Sequence, residues 1–256
     1  MMLNNNNKNP KPIVLMILDG YGVNQPYAGN AVSEANSVFI NSLIAKYPTT
    51  TIRASGEAVG LPWGEEGNSE VGHLNIGLGR ILYQDLPRIN IAISDKSFYK
   101  NKVLLSAVEH VKKHNSQLHL LGLTSNGCIH ASIDHLYALL LLAEKEKVDK
   151  VFIHVILDGR DTAYNAGVNL VKGVEHSVKE HGVGKIATIA GRFYTMDRNN
   201  NWDRTEKAYL AMVEGKGIES DDPVKAIEAS YKKKIYDEEF VPTVITEDGK
   251  PVATIK

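Results

Sequence analysis

Four short apolar runs, each followed by a polar loop, constrain the fold of this chain more than any other feature. The runs are rich in Val, Ile and Leu and cover residues 13–18, 118–123, 151–157 and 186–190. Because they lack polar alternation, they are typical of parallel strands buried on both faces. Segments with helical periodicity lie at 34–46, 103–114, 132–147, 166–180, 204–214 and 223–234. The alternation predicts a three-layer α/β architecture built on a parallel sheet.

The loops after these runs contain the candidate functional residues, since ligands bind at the carboxyl ends of strands in open parallel sheets. They are Asp19, His130, Arg160, Asp161, Arg192 and Arg198. Guanidinium groups grip carboxylate and phosphate with two hydrogen bonds, so three loop arginines indicate a small substrate with both groups. Asp161 among cations suits orientation or deprotonation of a hydroxyl. Surface salt bridges remain the alternative for each arginine. If Arg192 binds the substrate, Arg192→Ala should weaken activity and leave the melting temperature nearly unchanged.

The stretch GNSEVGHLNIG at 67–77 places Ser69 at the predicted start of a helix. Ser69 is either an N-cap, whose side chain accepts a hydrogen bond from a free backbone N–H, or a nucleophile, whose developing negative charge the helix N-terminus would stabilise. The stretch lacks the G-x-S-x-G pattern of serine hydrolases, which argues against acyl transfer. Asp19 is either an Asx turn or an oxygen ligand for Mn²⁺ or Mg²⁺. A metal-bound Ser69 oxygen would lose its proton more easily.

Two pairs of reactive residue types lie close together in the sequence but are not interpreted as reactive pairs. Cys128 and His130 are close in sequence, but such adjacency is poor evidence for a catalytic dyad, and Cys128 is expected to be a small buried residue. Asp134 and His135 fall inside a predicted helix, where neighbouring side chains diverge in direction. Cys128 and His130 are therefore not predicted to form a nucleophilic dyad, and Asp134 and His135 are not predicted to bind a metal.

Overall composition narrows the class of protein. The chain has 256 residues, 43% hydrophobic and 23% charged, which suits one large domain or two modest ones. Its 29 Lys and Arg nearly balance 30 Asp and Glu, so the net charge attracts neither nucleic acid nor an acidic membrane surface. The single cysteine indicates a reducing cytoplasm. The run at 13–18 is too short for a membrane span or a signal peptide.

The ends and the middle of the chain suggest its organisation. Residues 1–11 are polar and low in complexity, and we expect a disordered lead there. Clear periodicity is lost near residues 80–92, which indicates a domain boundary. Residues 240–256 predict two strands around an Asp-Gly turn, with nothing to pair the second strand further.

Motifs along nearly the whole chain resemble those of one enzyme family. They are LMILDGYG (15–22), GNSEVGHLNIGLGR (67–80), DLPRIN (85–90), LDGRDT (157–162) and GRFYTMDRNNNWDR (191–204). In these motifs the chain resembles the N-terminal half of the cofactor-independent (2,3-bisphosphoglycerate-independent) phosphoglycerate mutases. That family belongs to the alkaline-phosphatase-like superfamily. The serine motif in particular is highly specific.

The resemblance implies a domain organisation and a reaction. Residues 12–82 would be the first piece of a phosphatase-like metal-binding domain, and residues 83–256 an inserted transferase domain truncated at its C-terminus. The implied reaction interconverts 3-phosphoglycerate and 2-phosphoglycerate in glycolysis and gluconeogenesis through phosphoserine at Ser69, without 2,3-bisphosphoglycerate. The implied substrate-binding residues are His130, Arg160, Asp161, Arg192 and Arg198.

The resemblance also implies a cofactor and a setting. The complete enzyme would hold two Mn²⁺ ions, with Mg²⁺ as the alternative, and Asp19 and Ser69 would be ligands of one of them. It would be a cytoplasmic monomer whose partner is the small molecule phosphoglycerate, with no nucleic acid and no membrane.

The sequence departs from the family pattern, chiefly in length. Family chains are about twice as long, and the absent half holds the Asp and His ligands that complete both metal sites. We therefore expect an incomplete chain that is inactive by itself. Smaller departures lie at Asn126, Cys128, Ala131, Ser132, Asn199 and Asn201. Two rival functions are a phosphopentomutase or phosphatase of the same superfamily, which would lack the loop arginines, and a noncatalytic phosphoglycerate-binding module.

Overall fold

The computed structural model describes residues 11–256, and the chain divides into two units between Leu82 and Tyr83. The predicted disordered lead, residues 1–11, lies outside the described residues except for Lys11. Over the described range, every helix is too short or too polar to cross a membrane.

The first unit consists of short helices and irregular segments. Its helices are α1 (Ala31–Glu34), α2 (Val38–Lys46) and α3 (Ser69–Leu78), with a 3-10 turn at Gly56–Val59. The single helix predicted over 34–46 is wrong in its first turn. The helical conformation is interrupted between α1 and α2, where Asn36 has a left-handed φ of 40°. The buried apolar cluster of this unit consists of Val59, Leu61 and Val71.

The strand predicted over residues 13–18 is wrong. This segment has no regular secondary structure, and Ile13 is 94% exposed. A buried strand needs neighbouring strands for its backbone and apolar cover for its faces. The described residues of the first unit contain no strand that could pair with it.

The second unit is built on a mixed six-stranded sheet. Strands β1 (Leu118–Thr124), β2 (Val151–Leu157) and β3 (Lys185–Gly191) lie side by side and parallel, which confirms three predicted strands. β5 (Thr243–Glu247) runs antiparallel to β3, and β4 (Ile218–Ser220) pairs in parallel with β5 at the edge. The predicted parallel arrangement therefore holds for β1 to β3, whose carboxyl ends share one edge.

Helices pack against the sheet and against one another. Those of the second unit are α4 (Asp85–Ser94), α5 (Lys102–His114), α6 (Ile133–Lys145), α7 (Gly167–His181), α8 (Arg192–Thr195), α9 (Trp202–Glu214) and α10 (Pro223–Lys232). α7 contacts both α6 and α10, whereas α9 contacts β3 and β5. Five predicted helices are thereby confirmed. α4 was not predicted, because Pro87 interrupts the pattern, yet proline is tolerated in the first turn of a helix.

The C-terminal hairpin forms as predicted. β5 continues into β6 (Lys250–Pro251) through Asp248 and Gly249, whose φ values are 51° and 70°. Positive φ at both central residues is the requirement of the tight hairpin turn that Asp-Gly favours. After β6, the backbone N–H of Ile255 donates to the carbonyl oxygen of Met212 in α9.

The core of the second unit lies around β2, as its continuous apolar sequence predicts. Val151, Ile153 and Val155 are buried and pack with Val171 and Val174 of α7 in one cluster. Each such side chain stabilises the fold by roughly 1.5–3 kcal/mol relative to exposure. The sheet is thus a rigid support for the loops at its edge.

A line of polar side chains interrupts this core. His119 Nδ1 lies 2.9 Å from His154 Nε2, and His154 Nδ1 lies 2.8 Å from Thr188 Oγ1. Burial and, to a smaller extent, the neighbouring His119 lower the pKa of His154 to about 4. His154 is therefore neutral in the folded chain near pH 7.

Candidate active site

The five predicted substrate-binding residues line one cleft at the carboxyl ends of β1, β2 and β3. The cleft has a volume of about 470 Å³, and these residues are His130, Arg160, Asp161, Arg192 and Arg198. They come from the three segments that follow these strands, and the segments meet because the three strands run in the same direction. Their proximity is a property of the fold, whereas their roles in binding stay predictions.

A buried carboxylate, Asp158, organises the floor of this cleft. It accepts hydrogen bonds from Ser125 Oγ at 2.6 Å and from the backbone N–H groups of Arg160 and Asp161 at 3.2 and 3.0 Å. Arg192 Nη1 donates to it at 2.6 Å. Burial raises the pKa of Asp158, but these hydrogen bonds outweigh burial and hold the pKa below its usual value.

Arg192 is a buried part of the cleft. Its side chain is 9% exposed, and Nη1 donates both to Asp158 Oδ1 and to Asp161 Oδ2 at 2.6 Å. Burial lowers the pKa of Arg192, but the hydrogen bonds to these two carboxylates outweigh it and raise the pKa overall. The structure replaces the expectation of an unchanged melting temperature with a different prediction: Arg192→Ala should destabilise the fold, because Asp158 would lose its buried counter-ion.

Asp161 lies between Arg192 and His130. His130 Nε2 is 3.8 Å from Asp161 Oδ2, the oxygen that also accepts from Arg192. Within the described part of the chain, Asp161 Oδ1 has no hydrogen-bond donor. This second oxygen is therefore available to accept a hydrogen bond from a ligand hydroxyl.

The pairs that were not interpreted as reactive have different outcomes. Cys128 is half-buried in a turn with φ 59°, so the expectation of a buried cysteine is wrong. Its Sγ donates to the carbonyl oxygen of Asn126 at 3.6 Å. Asp134 and His135 lie within α6, as predicted, and His135 Nε2 is 2.8 Å from Asn90 Oδ1.

Arg160 is the most exposed of the cleft residues that follow β2. Its side chain is 63% exposed, and Nη1 lies 3.9 Å from Glu238 Oε1. An exposed ion pair of this length contributes little to stability. Arg160 is therefore much less tightly held than Arg192.

The loop that contains Arg198 is organised by Asp197. Asp197 Oδ2 accepts from the backbone N–H groups of Asn199 and Asn201 at 3.1 and 2.8 Å. Its Oδ1 accepts from Asn201 Nδ2 at 2.8 Å and Arg204 Nη1 at 3.3 Å. These contacts, led by the Asn201 side chain, lower the pKa of Asp197. Asn201 departs from the family pattern, yet its amide has a defined role in this loop.

Four charged residues at the cleft were not predicted from the sequence. They are Asp158, Asp197, Arg204 and Glu238. Asp158 directly follows a buried strand, so its position was a usable signal. Arg204 places its guanidinium 3.8 Å from the centre of the Phe193 ring, a contact that spacing does not predict. Glu238 follows α10 and reaches the cleft only through tertiary packing.

In the first unit, Ser69 contacts Asp19. Ser69 Oγ donates to Asp19 Oδ2 at 2.7 Å and lies 3.2 Å from His73 Nδ1. The N-cap of α3 is Asn68, whose Oδ1 accepts from the N–H of Val71 at 2.9 Å. The N-cap alternative for Ser69 is therefore wrong, and its hydroxyl is at the helix N-terminus without being used as the cap.

Asp19 and Ser69 only partly fit the implied metal centre. Both are oxygen donors of the kind that Mn²⁺ and Mg²⁺ prefer. In the part of the chain that the structure describes, no group of three or more His, Cys, Asp or Glu could hold a metal ion. Such cations take roughly six ligands. The described residues therefore do not form this centre by themselves.

Comparisons with known proteins identify one family and several curated relatives. The family described as BPG-independent PGAM N-terminus (iPGM_N) matches residues 89–256. A 2,3-bisphosphoglycerate-independent phosphoglycerate mutase of Clostridium perfringens is 53% identical over 246 residues, and one of Moorella thermoacetica is 50% identical. Each alignment covers 96% of this chain and 48% of the relative. The chain thus spans about half the length of the curated relatives it matches.

A solved structure has the same fold. It is a crystal structure of Leishmania mexicana phosphoglycerate mutase at low cobalt concentration, with a TM-score of 0.70 and 28% sequence identity. The match covers 88% of this chain and 43% of that chain. The predicted α/β fold is confirmed.

Proposed function

Since the chain belongs to the family described as BPG-independent PGAM N-terminus, we propose that it supplies the substrate-binding and nucleophilic half of a phosphoglycerate mutase. The reaction interconverts 3-phosphoglycerate and 2-phosphoglycerate through phosphoserine at Ser69. One observation supports this function most: Arg160, Asp161, Arg192 and Arg198 gather with His130 in one cleft, from the segments that follow three strands. Such a cleft suits a small molecule with a phosphate and a carboxylate.

The cleft residues divide into those that grip anions and one that handles a hydroxyl. Arg160 and Arg198 are exposed, and each binds one anionic group of the substrate. Arg192 is paired with carboxylates and contributes by holding Asp161 in place. Asp161 accepts a hydrogen bond from a glycerate hydroxyl, and His130 is close enough to exchange a proton with the same hydroxyl.

Ser69 is the proposed phosphoryl acceptor. Its Oγ forms a bond to phosphorus while the bond from phosphorus to the C3 oxygen of the substrate breaks. The serine proton passes to Asp19, 2.7 Å away, and from Asp19 to the departing C3 oxygen. In the second step the C2 oxygen bonds to phosphorus while the bond from phosphorus to Ser69 Oγ breaks, and the C2 hydroxyl proton returns through Asp19 to Ser69. The N-terminus of α3 favours the negative charge of the phosphoserine.

The proposed metal is Mn²⁺, with Mg²⁺ as the alternative, and when bound it would supply positive charge that neutralises the phosphoryl group. Asp19 and Ser69 would be two of its oxygen ligands, and the other ligands for two ions would come from outside the described residues. Because Ser69 itself receives the phosphoryl group, no 2,3-bisphosphoglycerate is required. We further propose that the complete enzyme is a cytoplasmic monomer in glycolysis and gluconeogenesis, and that these 256 residues alone bind phosphoglycerate weakly without turnover.

A calorimetric titration of the chain with 3-phosphoglycerate tests the cleft. Arg198→Ala should weaken binding by about 10-fold or more, since a charge-assisted hydrogen bond contributes ~1.5–3 kcal/mol. The matched control is Arg88→Ala, on the exposed surface of α4, which should bind like the wild type. Equal affinities of all three proteins would argue against this cleft as the substrate site.

The nucleophile is tested in a chimera that joins this chain to the C-terminal half of the Clostridium perfringens relative. With Mn²⁺ and substrate, mass spectrometry should find phosphoserine at Ser69, and Ser69→Ala should abolish both this signal and turnover. Turnover by the Ser69→Ala chimera would contradict the assignment. Robust turnover by the isolated 256-residue chain would contradict the proposal that its metal ligands are incomplete.

A further inference from the structure

A short turn places an acidic side chain inside the arginine cleft. The 3-10 turn Asp237–Glu239 follows α10, and Glu238 lines the cleft together with Arg160 and Arg192. We propose that Glu238 is an internal counter-ion that occupies Arg160 in the empty cleft and is displaced by the phosphate of the ligand. It thereby limits how tightly the cleft binds highly charged anions. The inference rests on the proposed function in taking phosphoglycerate as the ligand.

The contact between Glu238 and Arg160 is suited to displacement. Their charged atoms are 3.9 Å apart, and their side chains are 37% and 63% exposed. Solvent screens such a pair strongly, so an incoming phosphate can replace the carboxylate at the guanidinium. A buried pair such as Arg192 with Asp158 is not open to the same exchange.

The turn itself is firmly anchored. Asp237 is fully buried, and its Oδ2 accepts from the backbone N–H of Gly167 at 2.7 Å. Its other oxygen accepts from the hydroxyl of Tyr231, and its own N–H donates to the carbonyl oxygen of Tyr164. Glu238 is thus held next to a buried, hydrogen-bonded residue, and its backbone position does not depend on the weak contact with Arg160.

Two glycines bring the loops of the cleft directly against this turn. A Cβ at Gly159, which has φ 66°, would lie 2.7 Å from the backbone nitrogen of Glu238. A Cβ at Gly191 would lie 2.3 Å from the carbonyl oxygen of Glu238. The residues after these glycines are Arg160 and Arg192. Backbone packing therefore sets the distance between Glu238 and the cleft cations.

The other acids of the cleft have shorter ion pairs. Asp161 pairs with Arg192 at 2.6 Å, and Asp197 pairs with Arg204 at 3.3 Å. Among the described residues, Glu238 has one ion pair, the long one to Arg160. The charge of Glu238 therefore lacks a close partner, and it opposes a ligand phosphate that approaches Arg160. The opposition grows with ligand charge, because Coulomb energies scale with the product of charges.

The test compares Glu238→Gln with Glu239→Gln, which removes the same charge from an exposed neighbour in the same turn. Calorimetric titrations at low ionic strength use 3-phosphoglycerate, inorganic phosphate and glycerate. Glu238→Gln should bind 3-phosphoglycerate about 3- to 10-fold more tightly than the wild type, with a smaller gain for glycerate and a loss of the gain at high salt. Glu239→Gln should change affinity by less than about 2-fold.

A gain in affinity is a result that misfolding cannot produce. Unchanged or weaker binding by Glu238→Gln would overturn the proposal that Glu238 is a counter-ion. An equal gain in affinity by Glu239→Gln would overturn it as well. It would also fall if neither the wild type nor Glu238→Gln bound any of the anions. The proposed function fails separately. If Glu238→Gln gains affinity for inorganic phosphate while 3-phosphoglycerate binds no better than phosphate, the counter-ion stands and the assigned ligand falls.

Discussion

Replacement of Arg192 by alanine should destabilise the second unit strongly, in addition to any effect on binding. Removal of one partner from a buried ion pair typically costs about 3–5 kcal/mol. Asp158 would retain Ser125 Oγ and two backbone N–H donors, so we expect the lower end, about 3 kcal/mol. For a domain of this size, that corresponds to a fall in melting temperature of about 6–12 °C.

Urea unfolding at pH 7, followed by far-UV circular dichroism, measures this change. The matched control is Arg198→Ala, which removes an exposed arginine from the same cleft and should change stability by less than about 0.5 kcal/mol. The double variant Asp158→Asn/Arg192→Ala should lose less stability than the sum of the single variants, since it leaves no unpaired buried charge. Equal stability of Arg192→Ala and the wild type would refute this role of Arg192.

The pH dependence separates the charge of Arg192 from its packing. The pKa of Asp158 lies below its usual value in the folded chain. A carboxylate of this kind stabilises the fold above its unfolded pKa of about 3.9, and this stabilisation disappears as the pH falls through the lower folded value. The stability difference between the wild type and Arg192→Ala should therefore be full at pH 7 and shrink at acid pH. A difference that persisted after Asp158 is protonated would assign the loss to packing.

Three further predictions concern the core, the helix start and the cleft backbone. Stability should fall as the pH drops from about 6.5 towards 4, because the pKa of His154 is about 4 when folded and the unfolded chain binds more protons. In His154→Gln, the urea midpoint should depend less on pH over this range than in the wild type. An equal dependence on pH in both proteins would contradict the assignment of this effect to His154. Asn68→Ala should lower the stability of α3 by about 1 kcal/mol, measured by amide hydrogen exchange, because Asn68 is its N-cap. Ser69→Ala should lower it clearly less, and the reverse order would exclude Asn68 as the cap. Gly191→Ala should cost roughly 1–3 kcal/mol because its Cβ would lie 2.3 Å from a carbonyl oxygen. The control Gly122→Ala has open space at its Cβ, and equal urea midpoints for both variants would refute this packing argument.

Local patterns were sufficient for most elements of the second unit. The apolar runs at 118–123, 151–157 and 186–190 form β1, β2 and β3, because a continuous run of this length suits a strand covered on both faces. The run at 13–18 has the same pattern and forms no strand. An apolar run indicates that a segment favours burial, but it does not encode which other segments pack against it.

The antiparallel position of β5 was also beyond local patterns. Its sequence predicts a strand and a hairpin turn, and both are present. Its pairing with β3, and the place of β4 beyond it, depend on how α9 and α10 pack against the sheet. Strand order is decided by contacts between elements, which periodicity within one element does not encode.

The sequence by itself predicted five of the side chains that line the cleft: His130, Arg160, Asp161, Arg192 and Arg198. Arg160, Arg192 and His130 follow strands that run in parallel, so their meeting was predictable from their positions after strand ends. Only the tertiary structure decided how each cation is used. Arg192 is neutralised by two carboxylates, whereas Arg160 faces Glu238 from a distant turn. The physical reason is that the energy of a charge depends on its burial and on its nearest partners. Both are set by residues far apart in the chain.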